Sequence, residues 1–387
     1  MKTFKFLYRY LVFGLIFILL IIINTIRVFA YNFELPLKGA SGFLSVDFKE
    51  YKAGDSFVIL VAGEDLKEKD SNNRLYTANA GRIEEENFED YSSKSMSYGV
   101  FFDLDSLKED ELLVCMDKNH YILPIPKDKI MINLPDVIPS IIYKNSNGEK
   151  SLFKTSNENI PNLTGEKLYT SKFYNSRLKK DEYVMPVMYD MAKKIYKMQK
   201  AALKRNYSLV IYETYRPLDT QVLVRDKLNE KISSSEKLQY NINFDEFGNS
   251  WGKSWFIAQK YSNHQRGVAF DVSLAKINKT SFKNYKLTNY LVIDDYTEFE
   301  MPSNMHELST LAVIMNKNID VKNIDLKDDS RFNGKQTDGA VILQELAGEN
   351  GLSPLLSEWW HFNDLETKDN LRSLCVGNFK VHETKSY

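Results

Sequence analysis

Ser208-Leu209-Val210-Ile211-Tyr212-Glu213-Thr214-Tyr215 is the stretch on which the fold turns. It is an apolar run of strand length that ends at Arg216-Pro217, and it follows a segment with a different period. Upstream, Pro186 sits where a helix can start, and Val187, Met191, Ile195, Met198 and Leu203 recur at helical spacing with lysines on the other face. That stripe reads as core packing and not as a cofactor box. Downstream, the pattern predicts a helix over 219–231, strands over 268–274 and 291–294, and a late helix over 337–347. Gly348 and Gly351 are placed to stop the last of these. Helices and strands mix without strict alternation, which predicts an α+β domain over 166–387.

Toward the N-terminus the texture changes. Residues 43–48, 56–61, 98–102 and 111–115 are apolar or alternating runs bounded by Gly, Asp and Asn, and 121–126 and 130–135 are proline-punctuated runs suited to edge strands. No internal repeat and no catalytic constellation is visible here, and His120 reads as a surface residue. Residues 31–144 are therefore expected to form a β-rich accessory domain. Residues 145–165 are polar and turn-rich and read as a linker.

Residues 1–30 read as a targeting segment. Lys2, Lys5 and Arg9 precede an unbroken apolar run over 10–23, and Val28-Phe29-Ala30 offers small residues for cleavage. The alternative is an uncleaved anchor, since the run reaches about 17 residues when counted to Ile26, near the lower limit for a span. Either reading exports the rest of the chain. Cleavage would remove four positive charges and take the net charge from −1 to −5. Lys plus Arg (51) nearly balance Asp plus Glu (52), so no broad basic field exists and nucleic acid is not expected as a partner. The 2 cysteines, Cys115 and Cys375, cannot build a disulfide framework or a thiolate zinc cluster, and two isolated thiols are the default over a bridge between them. Any metal argument rests on the 5 histidines.

The chemistry lies in three short segments. In Ser262-Asn263-His264-Gln265-Arg266-Gly267-Val268-Ala269-Phe270-Asp271 a His and an Asp would point to opposite faces of a straight strand, and Gly267 is the natural bend that lets both converge. An imidazole and a carboxylate suit zinc. Capping and turn roles explain this segment equally well when it stands alone. In Glu358-Trp359-Trp360-His361-Phe362 a carboxylate and an imidazole sit within an aromatic run. A buried Glu there is a poor structural choice and a good general base, because burial raises its pKa. In Tyr215-Arg216-Pro217 an always-charged fork at a strand end suits a carboxylate or a developing oxyanion, although such an arginine is more often a surface ion-pair residue. Two His, one carboxylate, and a separate Glu and Arg are the set for hydrolysing an amide with an open zinc position. No His-Glu-x-x-His run, Gly-x-Ser-x-Gly elbow or Gly-rich phosphate loop occurs.

These segments, in the order Arg, His, Asp, Glu, His, resemble the D-alanyl-D-alanine dipeptidase family, the zinc D,D-peptidases of vancomycin resistance, with D,D-carboxypeptidases as close relatives. The resemblance covers roughly 160–380 and says nothing of 31–144. It implies a small mixed catalytic domain around an antiparallel sheet. It implies one zinc per chain held by His264, Asp271 and His361, with Glu358 as base, Arg216 stabilising the transition state, and Ser262 near the substrate. The implied substrate is free D-Ala-D-Ala or the end of a peptidoglycan stem peptide, met outside the cell at the wall or the membrane surface. The Tyr-Arg-Pro and Glu-Trp-Trp-His segments favour the dipeptidase, and export favours the carboxypeptidase. The rival reading is a non-catalytic protein that keeps zinc for structure or binding, as in the hedgehog signalling domain, and Glu358 and Arg216 argue against it. His306 reads as a surface or turn residue or a pocket wall, His382 as a solvated one, and the segment after Ile232 as a loop flanking the substrate.

Overall fold

The structure is a computed structural model that describes residues 40–47, 57–61, 95–102, 112–116, 121–125, 130–144, 154–155, 158–159, 172–175, 180–216, 218–234, 257–258, 261–285, 288–307, 310–314, 336–371 and 380–383. Contacts divide the chain into a unit Met1–Leu35, which lies outside the described residues, and a unit Pro36–Tyr387. The expected export segment therefore falls outside the description. So do His120, Cys375, Pro217 and most of the loop after Ile232. Among the described residues no helix is long and apolar enough to cross a membrane.

All six strand-like runs of the N-terminal stretch carry strands: β1 (Ala40–Asp47), β2 (Phe57–Val61), β3 (Ser95–Phe102), β4 (Leu112–Met116), β5 (Tyr121–Ile125) and β6 (Ile130–Asn133). After them come a helical turn α1 (Leu134–Val137), β7 (Ile142–Tyr143), and two small hairpins, β8 (Lys154–Thr155) with β9 (Glu158–Asn159) and β10 (Lys172–Asn175) with β11 (Lys180–Tyr183). Then follow β12 (Pro186–Met188), α2 (Tyr189–Lys204), β13 (Tyr207–Glu213), α3 (Leu218–Ser233), the long pair β14 (Ala269–Tyr285) and β15 (Thr288–Glu298), α4 (Asp338–Glu349), β16 (Ser353–Leu355), β17 (Glu358–Asn363), α5 (Leu365–Asn370) and β18 (Lys380–Glu383). The fold is α+β.

Three sheets carry the architecture. One is antiparallel in the order β1-β3-β4-β5, with the proline-bearing β5 at its edge. A second runs β12-β6-β2-β18. The third, which holds the site, runs β16-β17-β14-β13-β7 with β15 also paired to β14, and it is antiparallel except where β7 joins β13.

Three local differences from the sequence reading have physical reasons. Pro186 opens a strand and not a helix: it pairs with Asn133 as the first residue of β12, a place where a missing N–H is tolerated. The helix begins at Tyr189, and its stripe of Met191, Ile195 and Met198 is fully buried, roughly 1.5–3 kcal/mol of hydrophobic stabilisation for each side chain. Next, β6 lies inside its sheet and not at an edge, because Pro135 falls past the strand in the first turn of α1, where its N–H is not needed. Last, residues 130–143 were read with the accessory domain, yet β6 pairs with β12 and β7 with β13. Met131, Ile132, Leu134, Val137 and Ile138 are completely buried.

Helices α2 and α4 pack on the sheet, against β13 and β14 respectively. Leu209, Ile211, Val272 and Leu274 have no exposed surface. Gln199 of α2 ties the layers together: its Nε2 donates to Ser140 O at 2.9 Å and Ser208 Oγ at 3.1 Å, and its Oε1 accepts from Leu209 N at 2.9 Å. This buried amide is satisfied on both ends, so its burial does not carry the desolvation cost of an unpaired group. The rigid core so formed holds the adjoining ends of β13, β14 and β17.

Candidate metal centre

Each candidate ligand reaches the centre by a different local device. His264 lies in a single 3-10 turn, Asn263–Arg266. Ser262 caps that turn, accepting from His264 N at 3.2 Å, while Ser262 N donates to Gln265 Oε1 at 3.4 Å. Gly267 ends it at φ 66°, in the left-handed region. A Cβ on Gly267 would lie 2.7 Å from Met131 Cε and 3.2 Å from Met188 N, so only glycine fits without displacement. The chain then enters β14. His264 and Asp271 thus converge through a turn and a left-handed glycine.

Asp271 and His361 are direct cross-strand partners in the β14–β17 ladder. Glu358 arrives by an irregularity. On β16 Pro354 pairs with Phe362, whereas the next residue, Leu355, pairs with Glu358. The extra residues break the two-residue alternation of the strand. Glu358 Oε2 therefore comes within 3.8 Å of His361 Nδ1, although three-residue spacing would place them on opposite faces of a regular strand.

The three donor atoms form a tight cluster. Asp271 Oδ1 is 3.0 Å from His361 Nδ1 and 3.4 Å from His264 Nε2, and the two imidazole nitrogens are 3.1 Å apart. Tetrahedral zinc with bonds of about 2.0–2.2 Å needs donors about 3.3–3.5 Å apart, so the cluster is close to the required size. The outer nitrogens fix the tautomers. His264 Nδ1 lies 2.6 Å from the Thr214 carbonyl, which can only accept, so Nδ1 donates and Nε2 turns a lone pair inward. His361 Nε2 lies 3.0 Å from Asn363 Oδ1, which also accepts from Asn263 Nδ2 at 2.8 Å, so Nδ1 of this ring is the inward lone pair. Two lone pairs and a carboxylate oxygen meet where His264, Asp271 and His361 are 2%, 1% and 6% exposed. Such a group calls for a cation, and these residues could hold a metal ion.

Burial pushes the Asp271 carboxyl up, but the surrounding imidazoles of His264, His306 and His361 outweigh it and hold the group well below the usual carboxylate range. Glu358 goes the other way. Burial pushes it up to about 8, with His361 and Arg216 opposing and Asp271 and Glu213 reinforcing.

Arg216 sits beside the cluster, 5% exposed, with Nη2 3.9 Å from Asp271 Oδ2. Glu213 holds it by two bonds, Nε to Oε1 at 2.6 Å and Nη2 to Oε2 at 2.8 Å, and Nη1 donates to Gln221 Oε1 at 2.7 Å. Gln221 in turn donates to Ala258 O at 2.9 Å. The sequence reading missed Glu213, and the signal was there: a carboxylate inside an apolar strand needs a partner, and Arg216 is three residues on.

His306 is neither a surface residue nor solvated. It is 2% exposed, and its Nε2 lies 2.8 Å from Asp271 Oδ2. With Glu213 and Asp271 it makes a second group, among the described residues, of the kind that could hold a metal ion.

The structure thus brings together His264, Asp271, His361, Glu358 and Arg216. It places Ser262 at the edge as a cap for the His264 turn. A cleft of about 420 Å³ lies along the same strands, lined by Tyr212, Ser273, Trp359 and the 298–305 segment.

No family model matches the chain, and no curated protein matches it.

Proposed function

We propose that the chain is an exported zinc peptidase that cleaves the D-Ala-D-Ala bond, with the free dipeptide as first substrate. The observation that carries the metal half of this reading is the pair of imidazoles locked, by Thr214 and Asn363, with their lone pairs facing Asp271 Oδ1. Two nitrogens and one oxygen about 3.0–3.4 Å apart suit zinc better than the hard cations that take six or more oxygens. The resemblance of the three motifs to D,D-dipeptidases supplies the substrate half.

Zinc held by His264, Asp271 and His361 would supply Lewis acidity to the scissile carbonyl and acidify the attacking water. Glu358 takes the proton from that water and returns it to the leaving amine nitrogen. Burial raises this carboxyl in the metal-free protein, and a cation held by the three ligands beside it would lower it again, which leaves a carboxylate able to accept the proton. Arg216, fixed by Glu213 and Gln221 before substrate arrives, stabilises the negative charge that develops on the carbonyl oxygen. Aromatic side chains of the same strand, Trp359 and Trp360, are 1% exposed and help keep the centre dry.

A second reading, trimming of the terminal D-Ala from a wall stem peptide, is favoured by the export segment.

The test offers free D-Ala-D-Ala and a stem pentapeptide to the zinc-loaded full chain in one tube and follows both by mass spectrometry. Loss of the dipeptide alone supports the first reading. Release of one alanine from the pentapeptide supports the second, and consumption of neither rejects both. Glu358→Gln is expected to keep one zinc per chain and to lower turnover by at least about 100-fold. His264→Ala is expected to lose the metal.

A further inference from the structure

The geometry points to His306 as a positioning residue that donates from Nε2 to Asp271 Oδ2 and so leaves Oδ1 as the one Asp271 oxygen presented to His264 and His361. This rests on the metal centre described above and extends it by one residue that neither the motifs nor the resemblance includes.

The two oxygens of Asp271 have different company. Oδ1 faces the inward nitrogens of His361 and His264, at 3.0 and 3.4 Å. Oδ2 faces His306 Nε2 at 2.8 Å and Arg216 Nη2 at 3.9 Å. An ionised carboxylate only accepts, so the imidazole must be the donor in this bond.

The backbone is arranged to deliver that donor. His306 has φ 60°, in the left-handed region that few non-glycine residues enter, with asparagine, aspartate and histidine the ones that enter it most readily. The turn that carries it is pinned on both sides: Glu307 N donates to Asn304 O at 3.1 Å, and Asn304 Nδ2 donates to Glu307 Oε2 at 2.9 Å. The ring stands edge-on to Trp360, with centroids 5.7 Å apart and planes at 83°. Trp360 lies on β17 between Glu358 and His361, so the imidazole is wedged between the strand that brings the base and the strand that brings the carboxylate. A turn that buries an imidazole at 2% exposure and aims its Nε2 at a carboxylate of the centre signals use of that side chain.

The competing interpretation makes Glu213, Asp271 and His306 a second metal site. The bonds from Arg216 to both Glu213 oxygens, at 2.6 and 2.8 Å, place a guanidinium on the carboxylate such an ion would need. The cation at that position is the arginine.

Occupying Oδ2 matters because a carboxylate free to swing would bind through both oxygens and fill a position that catalysis needs open. Outer partners of this kind change metal affinity by roughly 10–100-fold when removed. The test uses the full chain, with zinc affinity read by competition against a chelator and coordination read from the visible absorption of the Co²⁺-substituted protein. His306→Phe keeps a ring against Trp360 and removes the donor. It is expected to weaken zinc binding by roughly 10–100-fold and to lower the cobalt band intensity as coordination number rises. His306→Gln, whose amide nitrogen reaches about where Nε2 stands, is expected to restore both to within a few-fold of the native protein.

Native affinity and an unchanged cobalt spectrum in His306→Phe would overturn the assignment. Uptake of two ions per native chain would also overturn it. Should the Phe variant fail to fold, His306→Gln against His306→Asn decides: asparagine suits the left-handed turn but is too short to reach, so equal affinities reject the role. A native protein that binds zinc tightly and cleaves neither peptide rejects the peptidase reading and leaves this one standing.

Discussion

Glu358 titrates in a way that separates its burial from its chemistry. In the unfolded chain its carboxyl ionises near the ordinary value of 4.5, and in the folded metal-free protein burial pushes it up to about 8. Below pH 4.5 both states hold the proton and the group costs nothing. As pH rises toward 8 the unfolded chain releases the proton while the folded one keeps it, so stability falls by up to ~1.4 kcal/mol per pH unit and then levels. Asp271, held below the usual range, is ionised throughout that window and adds no slope. The metal-free native protein should therefore lose melting temperature between pH 5 and 8 relative to Glu358→Gln. Parallel curves for the two proteins would mean that Glu358 is not the buried acid described. At this scale the sequence was informative where chemistry demanded unusual residues: a Glu and a His within an aromatic run, an Arg at a strand end. It was silent on His306, because a histidine in a turn 35 positions after Asp271 carries no local mark of its partner. Thr214 and Asn363 were equally hidden, since one acts through a backbone carbonyl and the other through a side-chain amide that no local pattern marks.

Among the elements, the turn before β14 has the tightest constraint. Gly267 combines φ 66° with close approach to Met131 and Met188, and its carbonyl accepts from Met188 N at 2.8 Å. Gly267→Ala is expected to cost about 1–3 kcal/mol of stability through backbone strain and contact with β12. It should also weaken metal uptake, since the same residue sets the position of His264. A melt together with a zinc titration checks both, and native values in each would show that the turn is not what places the ligand. Element type was readable along most of the described residues because periodicity is local, so the runs at 43–48 through 130–135 and the stripe from Met191 to Met198 all found their counterparts. Pro186 misled because the same residue opens helices and strands, and only its pairing with Asn133 decides between them. The irregular pairing that brings Glu358 beside His361 depends on β16, a short strand with no pattern of its own.

For the whole molecule, the boundary drawn near 144 divides strands that belong together. β6 and β7 complete the sheets of β12 and β13, and they bring Met131, Ile132, Leu134, Val137 and Ile138 out of water entirely. A chain truncated to residues 166–387 loses those side chains from its core. It is expected to melt without a cooperative transition and to bind zinc poorly, and calorimetry with equilibrium dialysis would read both. A sharp native-like transition would show that the later region folds alone. Linear reading could not find this dependence, because a change of texture along a sequence marks where patterns shift and not which strands will pair.

The facing of Asp271 and His361 across the β14–β17 ladder has a consequence for how this protein can vary. The pairing that aligns the centre occupies the first three residues of a strand 17 residues long. The far part of that strand, beyond Ala275, pairs with β15 instead, in a hairpin that turns back near Tyr285 and Thr288. A residue gained or lost within 269–271 would bring Phe270 or Val272 opposite His361 and erase the centre outright. The same change at the hairpin tip leaves that alignment untouched. The molecule thus keeps its chemistry at a fixed end of the long strand and leaves the other end free to lengthen, shorten or acquire new surfaces.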